Sequence, residues 1–370
     1  MSTTESGGNS VRDRRLQHDW SQAELADRAG ISRAAVSAIE GERLVPSVAA
    51  ALALASALDC SVEELFAPKA NQGAASASWA WTSSDVAAYA TVREPVRYWS
   101  GNVQDRVLFY PVEATPLGEL PHDGLWPLNR VPHVAKGSGS AEMRRLAERT
   151  LVMACCDPAV GLLARIYEQV SGYRMLVFPR SSRSALSLLQ QGLVHVAGVH
   201  LAAAETDDGN AASVAEILAE PARLLRVAAW DDGIAVGSAV TAQSVRGLLR
   251  DRLTWIGREP GSGARQCLDE VLQDRAAPRR LARDHRGVAE AIRSGWADAG
   301  VCLRLVAEEA GLRFLPIRTE GYDLCFTRAV KDDPRVQALV RVVQSREYRQ
   351  MLGELPGYDS RRAGELISVE

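Results

Sequence analysis

The sequence predicts a multidomain chain: an all-α helix-turn-helix bundle, a small β-rich segment, and then an α/β region of two lobes. Three observations carry that prediction. Between Ser21 and Glu40 two capped helical patterns meet at a glycine, from Ala67 to Ser78 large apolar groups are missing, and from Leu146 onward short apolar runs alternate with helical patterns. The 370 residues carry a formal net charge of -3, which is length for two or more domains and too little positive charge for a nucleic-acid coat protein.

The bundle is expected over residues 11–67, after a polar, Gly/Ser-rich tail at 1–10. Ser21 is a good N-cap and Glu24 follows three residues later, a capping box that opens a helix through Leu25 and Ala26. Gly30 stops that helix, and Ile31 lies in the turn. Ser32 caps a second helix with Ala35, Val36 and Ile39 on its inner face, a spacing that fits a period of 3.6. Its outer face, Arg33, Ala34, Ser37 and Ala38, is small and polar and would stand in solvent, which suits entry into a DNA major groove and is otherwise ordinary. Acidic residues offset the arginines of this region, so DNA affinity would rest on a few placed Arg side chains and on dimerisation.

No apolar run is long enough to span a bilayer, and the first ten residues lack the apolar core of a signal peptide, so a cytoplasmic location is expected. The six cysteines, at 60, 155, 156, 267, 302 and 325, show neither CxxC spacing nor a dense framework. They read as reduced thiols, mostly buried, with Cys155 in core packing.

Residues 68–78 read as an interdomain linker. In the segment 79–145 short apolar runs such as Val107–Tyr110 lie between turn signals, and its aromatic residues, Trp79, Trp81, Tyr98, Trp99, Tyr110 and Trp126, read as the core of a small β-rich unit. Val131 to Ser140 reads as a loop. The α/β region is expected over 146–370. Leu151 to Cys156 is a continuous apolar run, as in a strand buried on both faces of a parallel sheet, and Asp157-Pro158 then caps a helix running to Gly172. Met175–Phe178 is a strand, Ala185–Gln191 a helix, and Val194–Val199 a strand. After an acidic, Ala-rich loop at Ala202–Ala212 the pattern repeats: strands at Leu225–Val236, Leu253–Ile256, Ala299–Leu303, Phe314–Ile317 and Tyr322–Thr327, with helices between them and two more at the end. This alternation predicts a mostly parallel sheet in two lobes.

Three loops at strand ends each lead into a helix: Cys156-Asp157, Ser181-Ser182-Arg183-Ser184, and Gly261-Ser262-Gly263-Ala264-Arg265. A helix start offers unpaired N–H groups and partial positive charge, Ser adds a hydroxyl, and Gly admits a close backbone approach, so these loops together suit an anion. His200, at a strand end, is either a ligand contact or pH sensor, or a structural hydrogen-bond partner. Tyr322, where the chain returns between lobes, either donates its hydroxyl to a ligand or packs the lobes.

The order Gln22, Leu25, Ala26, Gly30, Ser32, Val36, Ser37, Ile39, Glu40, then Arg43 and Pro46, resembles the Cro/repressor-like (XRE-type) regulators from about Val11 to Phe66. That resemblance implies a double-stranded DNA operator as partner. Gln22 and Arg14 or Arg15 would then hold phosphates, Arg33 and Ser37 would reach base edges with Ser32 and Ala34 beside them at the DNA, and Arg43 would contact the backbone just past the second helix. Further on, Arg258-Glu-Pro-Gly-Ser-Gly-Ala-Arg265, Gly295–Val301, Gly311–Pro316 and Glu320–Leu324 resemble the type II periplasmic-binding-protein-like domain, as found in molybdate-binding proteins, in LysR-type effector domains, and fused to molybdopterin-biosynthesis proteins or DNA-binding domains. The resemblance covers about Leu146 to Leu355 and implies a ligand held between lobes that close about a hinge. By it, Ser182, Ser262, Gly263 and Tyr322 match oxyanion-binding positions, and Arg265 supplies a counter-charge. Cys156-Asp157 stands where molybdate-binding members often have Ser or Thr; an ionised Asp there repels a divalent oxyanion, so Asp157 either caps its helix or meets a ligand that carries a donor.

No Ser-His-Asp order, shielded carboxylate pair, metal-ligand spacing or Walker loop occurs, so no catalytic residue, metal or cofactor is expected. The chain reads as a one-component transcription regulator sensing a small-molecule effector, an oxyanion such as molybdate or tungstate, or a small organic acid. One short recognition helix makes too few contacts for a unique genomic site, so a homodimer on an inverted repeat is expected. The alternative from another class is a molybdenum-cofactor-related enzyme or cofactor-handling protein with the helix-turn-helix as an autoregulatory appendage. A third is a regulator whose second domain only dimerises.

Overall fold

The computed structural model describes residues 10–41, 43–66, 78–81, 96–126, 141–201, 209–273 and 275–370. All but Ser10 of the expected tail at 1–10, all but Ser78 of the linker at 68–78, the loop at 131–140 and residues 202–208 of the acidic loop lie outside the described residues, and Ser78 opens a strand. Contacts divide the chain into two units, Met1–Ala75 and Ser76–Glu370.

The described residues of the first unit form five helices: α1 (Val11–Gln17), α2 (Gln22–Ala29), α3 (Arg33–Glu40), α4 (Val48–Ala57) and α5 (Val62–Phe66). Its local signals act as their chemistry requires. Ser21 Oγ accepts from the Glu24 N–H at 3.2 Å while the Glu24 carboxylate accepts from the Ser21 N–H at 2.6 Å. Gly30 closes α2 at φ 64°, a left-handed conformation that side chains disfavour, and the Ser32 hydroxyl caps α3. Leu25, Val36, Ile39, Leu54 and Leu65 then pack into one small core.

The second unit opens with a four-stranded sheet, β1 (Ser78–Trp79), β2 (Val96–Val103), β3 (Arg106–Pro111) and β4 (Gly124–Trp126), in the order β1-β3-β2-β4. After α6 (Ala141–Glu148) comes the first lobe: β5 (Thr150–Cys155), α7 (Val160–Ser171), β6 (Arg174–Pro179), α8 (Ser182–Gln190), β7 (Val196–Val199) and α9 (Gly209–Ile217). β8 (Ala222–Val236) leads into the second lobe, formed by α10 (Val245–Arg250), β9 (Trp255–Arg258), α11 (Gly263–Leu272), β10 (Arg280–Ala282), α12 (His285–Arg293), β11 (Ala299–Leu303) and α13 (Arg304–Glu309). β12 (Arg313–Thr327) returns the chain to the first lobe, which α14 (Pro334–Gln344), α15 (Arg346–Gly353), β13 (Tyr358–Asp359) and β14 (Leu366–Val369) complete.

The lobes share a ten-stranded sheet of order β10-β9-β11-β8-β12-β7-β5-β6, with β13 and β14 pairing onto β8. The β5–β6, β5–β7, β9–β10 and β9–β11 pairs are parallel, as the alternation predicted, but β8 and β12 pair antiparallel with each other and with β11, β7, β13 and β14, so the sheet is mixed rather than mostly parallel. The junction differs from the expectation. β8 and β12 are single strands of 15 residues each, antiparallel from Arg313 opposite Val236 to Thr327 opposite Ala222. The sequence broke β12 in two because Arg318, Thr319 and Glu320 interrupt its apolar pattern; those polar groups cross between the lobes and find partners there. Register shifts at Pro316/Arg318 and Tyr322/Asp323 bend the ladder at that crossing.

β5 shows why the first-lobe strands read as continuous apolar runs. Leu151, Met153 and Cys155 enter one core and Val152 and Ala154 the other, on opposite faces of the sheet. The second of those cores is shared with the four-stranded sheet: Trp81, Trp99 and Tyr110 pack on Phe178. Gly101 permits the approach, since a Cβ there would stand 2.7 Å from Val152 Cγ2. The β-rich segment is therefore built onto the first lobe. Cys155, Cys156, Cys267, Cys302 and Cys325 are buried free thiols.

Candidate functional site

In the helix-turn-helix the structure separates framework from surface. The expected phosphate contact by Arg15 is corrected: its guanidinium is nine-tenths buried, bonded to Glu40 at 2.7 Å and to the Trp20 carbonyl. Gln22 likewise spends its amide on Glu40, at 2.9 Å. Together they tie α1, α2 and α3 into one body. Ser32 is occupied as a cap. Arg33, Ala34 and Arg43 are exposed, whereas Arg14 and Ser37 are half-buried.

The three strand-end loops of the second unit do come together, at the seam between the lobes. Gly261 lies against Arg183, and Gly263 lies so close to His200 that an added Cβ would stand 2.5 Å from its carbonyl oxygen. A fourth loop joins them, which the sequence reading missed. Arg286 donates to the Pro158 carbonyl and the His285 ring centroid lies 5.8 Å from that of His200.

Asp157 does not cap its helix at the N-cap position. α7 begins at Val160 with Ala159 as N-cap, because Asp157 Oδ1 accepts from the Ala159 N–H at 2.8 Å in a tight turn and from the Tyr358 hydroxyl at 2.6 Å. Burial pushes its pKa up to about 6, and the Tyr358 hydrogen bond limits the rise. His200 is fully buried: its Nδ1 meets Glu320 Oε2 at 2.7 Å and its Nε2 meets Cys156 Sγ at 3.0 Å. Burial opposes the charged imidazole, but Cys156 and Glu320 outweigh it and hold the pKa well above the ordinary histidine value. Burial alone would raise Glu320; His200 and Arg318 reverse that and keep it ionised. Asp232, also fully buried, is pushed well up by burial and then by Glu320.

The expected oxyanion hydroxyls have internal partners. Ser182 Oγ accepts from the His200 N–H; Ser262 Oγ donates to the Glu259 carbonyl and accepts from the Arg265 N–H. Ser181 is buried as the N-cap of α8. Arg265 pairs with Asp269, on the same helix. Tyr322 is buried and stacked on Trp230 at 4.4 Å, its hydroxyl beside the Cys155 thiol, which is the lobe-packing arrangement.

Several buried polar groups have no hydrogen-bond partner among the described residues, both carboxyl oxygens of Asp232 and the Trp230 indole nitrogen among them, and two of these groups are basic side chains that the sequence did not single out. One is Arg258 Nη1; the rest of that guanidinium pairs with Glu259. The other is His285, both ring nitrogens of which are unpaired at 1% exposure. Burial, then Arg258 and His200, hold His285 well below the usual histidine pKa, so it is neutral. The seam can thus offer a cationic donor and an imidazole, beside carboxyls that are either neutralised by partners or raised in pKa.

Residues 163–344 match the PBP superfamily domain (PBP_like), and residues 11–65 match the helix-turn-helix family HTH_3. Over 221 residues the chain is 31% identical to an uncharacterized protein, YvgK, of Bacillus subtilis (strain 168), covering 57% of this chain and 71% of that protein. Similar solved structures include PhnD1 of Prochlorococcus marinus (MIT 9301) in complex with methylphosphonate, at 12% identity and TM-score 0.42 over 60% of this chain and 93% of that one. Another is an ABC-type phosphate transport receptor from Vibrio cholerae, at 13% identity and TM-score 0.40 over 56% and 99%. Among the described residues no helix is long and apolar enough to cross a membrane. The chain thus belongs to one family with YvgK and carries a PBP superfamily domain, preceded in the sequence by a helix-turn-helix of the HTH_3 family.

Proposed function

We propose that the chain is a cytoplasmic one-component transcription regulator, in which a small anion bound between the lobes alters operator binding by a homodimer. The observation that carries the ligand reading is Arg258: a guanidinium at 1% exposure keeps one nitrogen without a partner among the described residues, at the end of the strand that leads into the Gly261–Arg265 loop. A buried cation with a spare donor favours a negative group. The starts of α8 and α11, both at the seam, add backbone N–H groups. The nearby carboxyls of Asp157 and Asp232 favour a ligand that also carries a donor, a protonated oxyanion or a small hydroxy or amino acid, over a bare dianion. Binding must favour one lobe arrangement for the DNA heads to respond, since a ligand with equal affinity for both shifts nothing.

The test is thermal unfolding of the full chain against molybdate, tungstate, phosphate, sulfate and small organic acids, with operator sequences obtained by selection from random duplexes. A ligand at a hundred times its dissociation constant adds about 2.7 kcal/mol. One class should stabilise the chain and change operator affinity, and Arg258→Met should abolish both effects. Stabilisation that survives Arg258→Met, or a ligand that never changes DNA binding, overturns the reading.

A further inference from the structure

We propose that Cys156, His200 and His285 form a transition-metal site that ties the two lobes together. Their ligand atoms, one sulfur and an imidazole nitrogen from each histidine, lie within 4.8 Å of one another, and all three residues are buried. Cys156 follows β5 and His200 follows β7 in the first lobe, whereas His285 opens α12 in the second.

A plain thiol–imidazole hydrogen bond accounts for Cys156 and His200. It leaves His285 unexplained, because that ring is closed off from solvent and neither of its nitrogens has a partner among the described residues. Buried polar groups left that way are rare in native structures and call for a bonding partner. The neighbouring chemistry supplies the second argument. Glu320 Oε2 holds His200 Nδ1 at 2.7 Å, which aims Nε2 at the thiol, and a carboxylate behind the distal nitrogen is the usual support of a metal-bound histidine. Asp157, next in the chain, is turned away onto Ala159 and Tyr358 and stays outside the donor set.

One thiolate and two imidazoles suit zinc, cobalt or copper and exclude magnesium and calcium, which need oxygen donors. In a tetrahedral zinc site the ligand atoms stand about 3.4–3.6 Å apart, given bonds of about 2.3 Å to sulfur and about 2.0–2.1 Å to nitrogen. Cys156 and His200, now 3.0 Å apart, therefore part slightly while His285 is drawn in, and the proton held between the Cys156 sulfur and His200 Nε2 leaves to solvent as the metal binds, which frees both atoms as donors. The metal would clamp one lobe on the other, and the inference stands apart from the anion reading because it concerns the metal alone.

The experiment uses the full chain, reduced and stripped by chelator, titrated with Co2+ and Zn2+ and no other ligand. One equivalent of Co2+ should give visible tetrahedral d–d bands and a near-ultraviolet thiolate-to-cobalt band, and Zn2+ should displace it. His285→Gln should weaken Zn2+ binding by about 10-fold or more, and Cys156→Ser should remove the thiolate band. Should either variant fail to fold, zinc-edge absorption of the unaltered chain still decides, one sulfur with two imidazoles being expected in the first shell. A chain that gives no thiolate band, or a zinc shell without sulfur, overturns the proposal, as does unchanged affinity in folded His285→Gln.

Discussion

His195 ties the β-rich segment to the first lobe, and its environment makes that joint sensitive to acid. The ring is fully buried; its Nδ1 accepts from the Val152 N–H at 2.9 Å and its Nε2 donates to the Asn102 carbonyl at 2.8 Å. Only the neutral Nε2–H form can make both bonds, because a second ring proton would point at the Val152 N–H. Burial, then the Arg335 charge, push the pKa down to about 4 from 6.5, with Asp333 acting weakly the other way. As pH falls, the unfolded chain takes up this proton first, so the stabilisation is complete above pH 6.5 and is lost between 6.5 and about 4. At pH 5 the loss is on the order of 2 kcal/mol. His285 is neutral too and adds acid sensitivity of the same sign, so the readout is a difference between variants. Urea unfolding followed by tryptophan fluorescence, at pH 7 and pH 5, compares the unaltered chain with His195→Asn, whose amide oxygen can still accept from Val152. The variant should lose about 1 kcal/mol at pH 7 for its missing hydrogen bond and be less acid-sensitive by roughly 2 kcal/mol. Equal losses in both proteins between pH 7 and pH 5 would refute the neutral, buried assignment.

The other predictions concern the seam and the DNA-binding unit. Gly263→Ala places a Cβ 2.5 Å from the His200 carbonyl oxygen and 2.7 Å from its Nδ1, so the lobes must separate; small-angle scattering should show an opened second unit, and effector stabilisation in thermal melts should vanish. Trp230→Ala removes the ring stacked on Tyr322 at 4.4 Å and should cost about 3–5 kcal/mol of second-unit stability in denaturant unfolding. Arg15→Met leaves Glu40 buried without its guanidinium and should destabilise the first unit by about 3 kcal/mol, read by calorimetry. Arg33→Ala and Arg43→Ala should leave that transition in place while weakening operator binding by about 1–3 kcal/mol each, read by fluorescence anisotropy.

Local chemistry wrote the first unit plainly into the chain. The capping pair Ser21 and Glu24, the left-handed Gly30 and the Ser32 cap each act within a few residues of themselves, so periodicity and turn chemistry could locate the helices. The same holds for the first-lobe strands, whose two buried faces leave continuous apolar runs. What the sequence could not decide lies where residues far apart in the chain meet. Arg15 and Gln22 read as surface residues until Glu40, from another helix, took both. Ser182 and Ser262 read as oxyanion donors, but each hydroxyl is spent on backbone within its own lobe, Ser182 on the His200 N–H from the next strand end and Ser262 on its own loop. His285 carried no signal, being an ordinary first residue of an amphipathic helix; its meaning comes from the Cys156–His200 pair across the seam. By itself, then, the sequence determined most of the elements and their order, because capping and hydrophobic period are short-range properties, though it split β12 and left the short β10, β13 and β14 unread. The tertiary structure alone decided which polar groups face one another at the seam, because burial, partner choice and the resulting charge states are properties of contacts between distant segments.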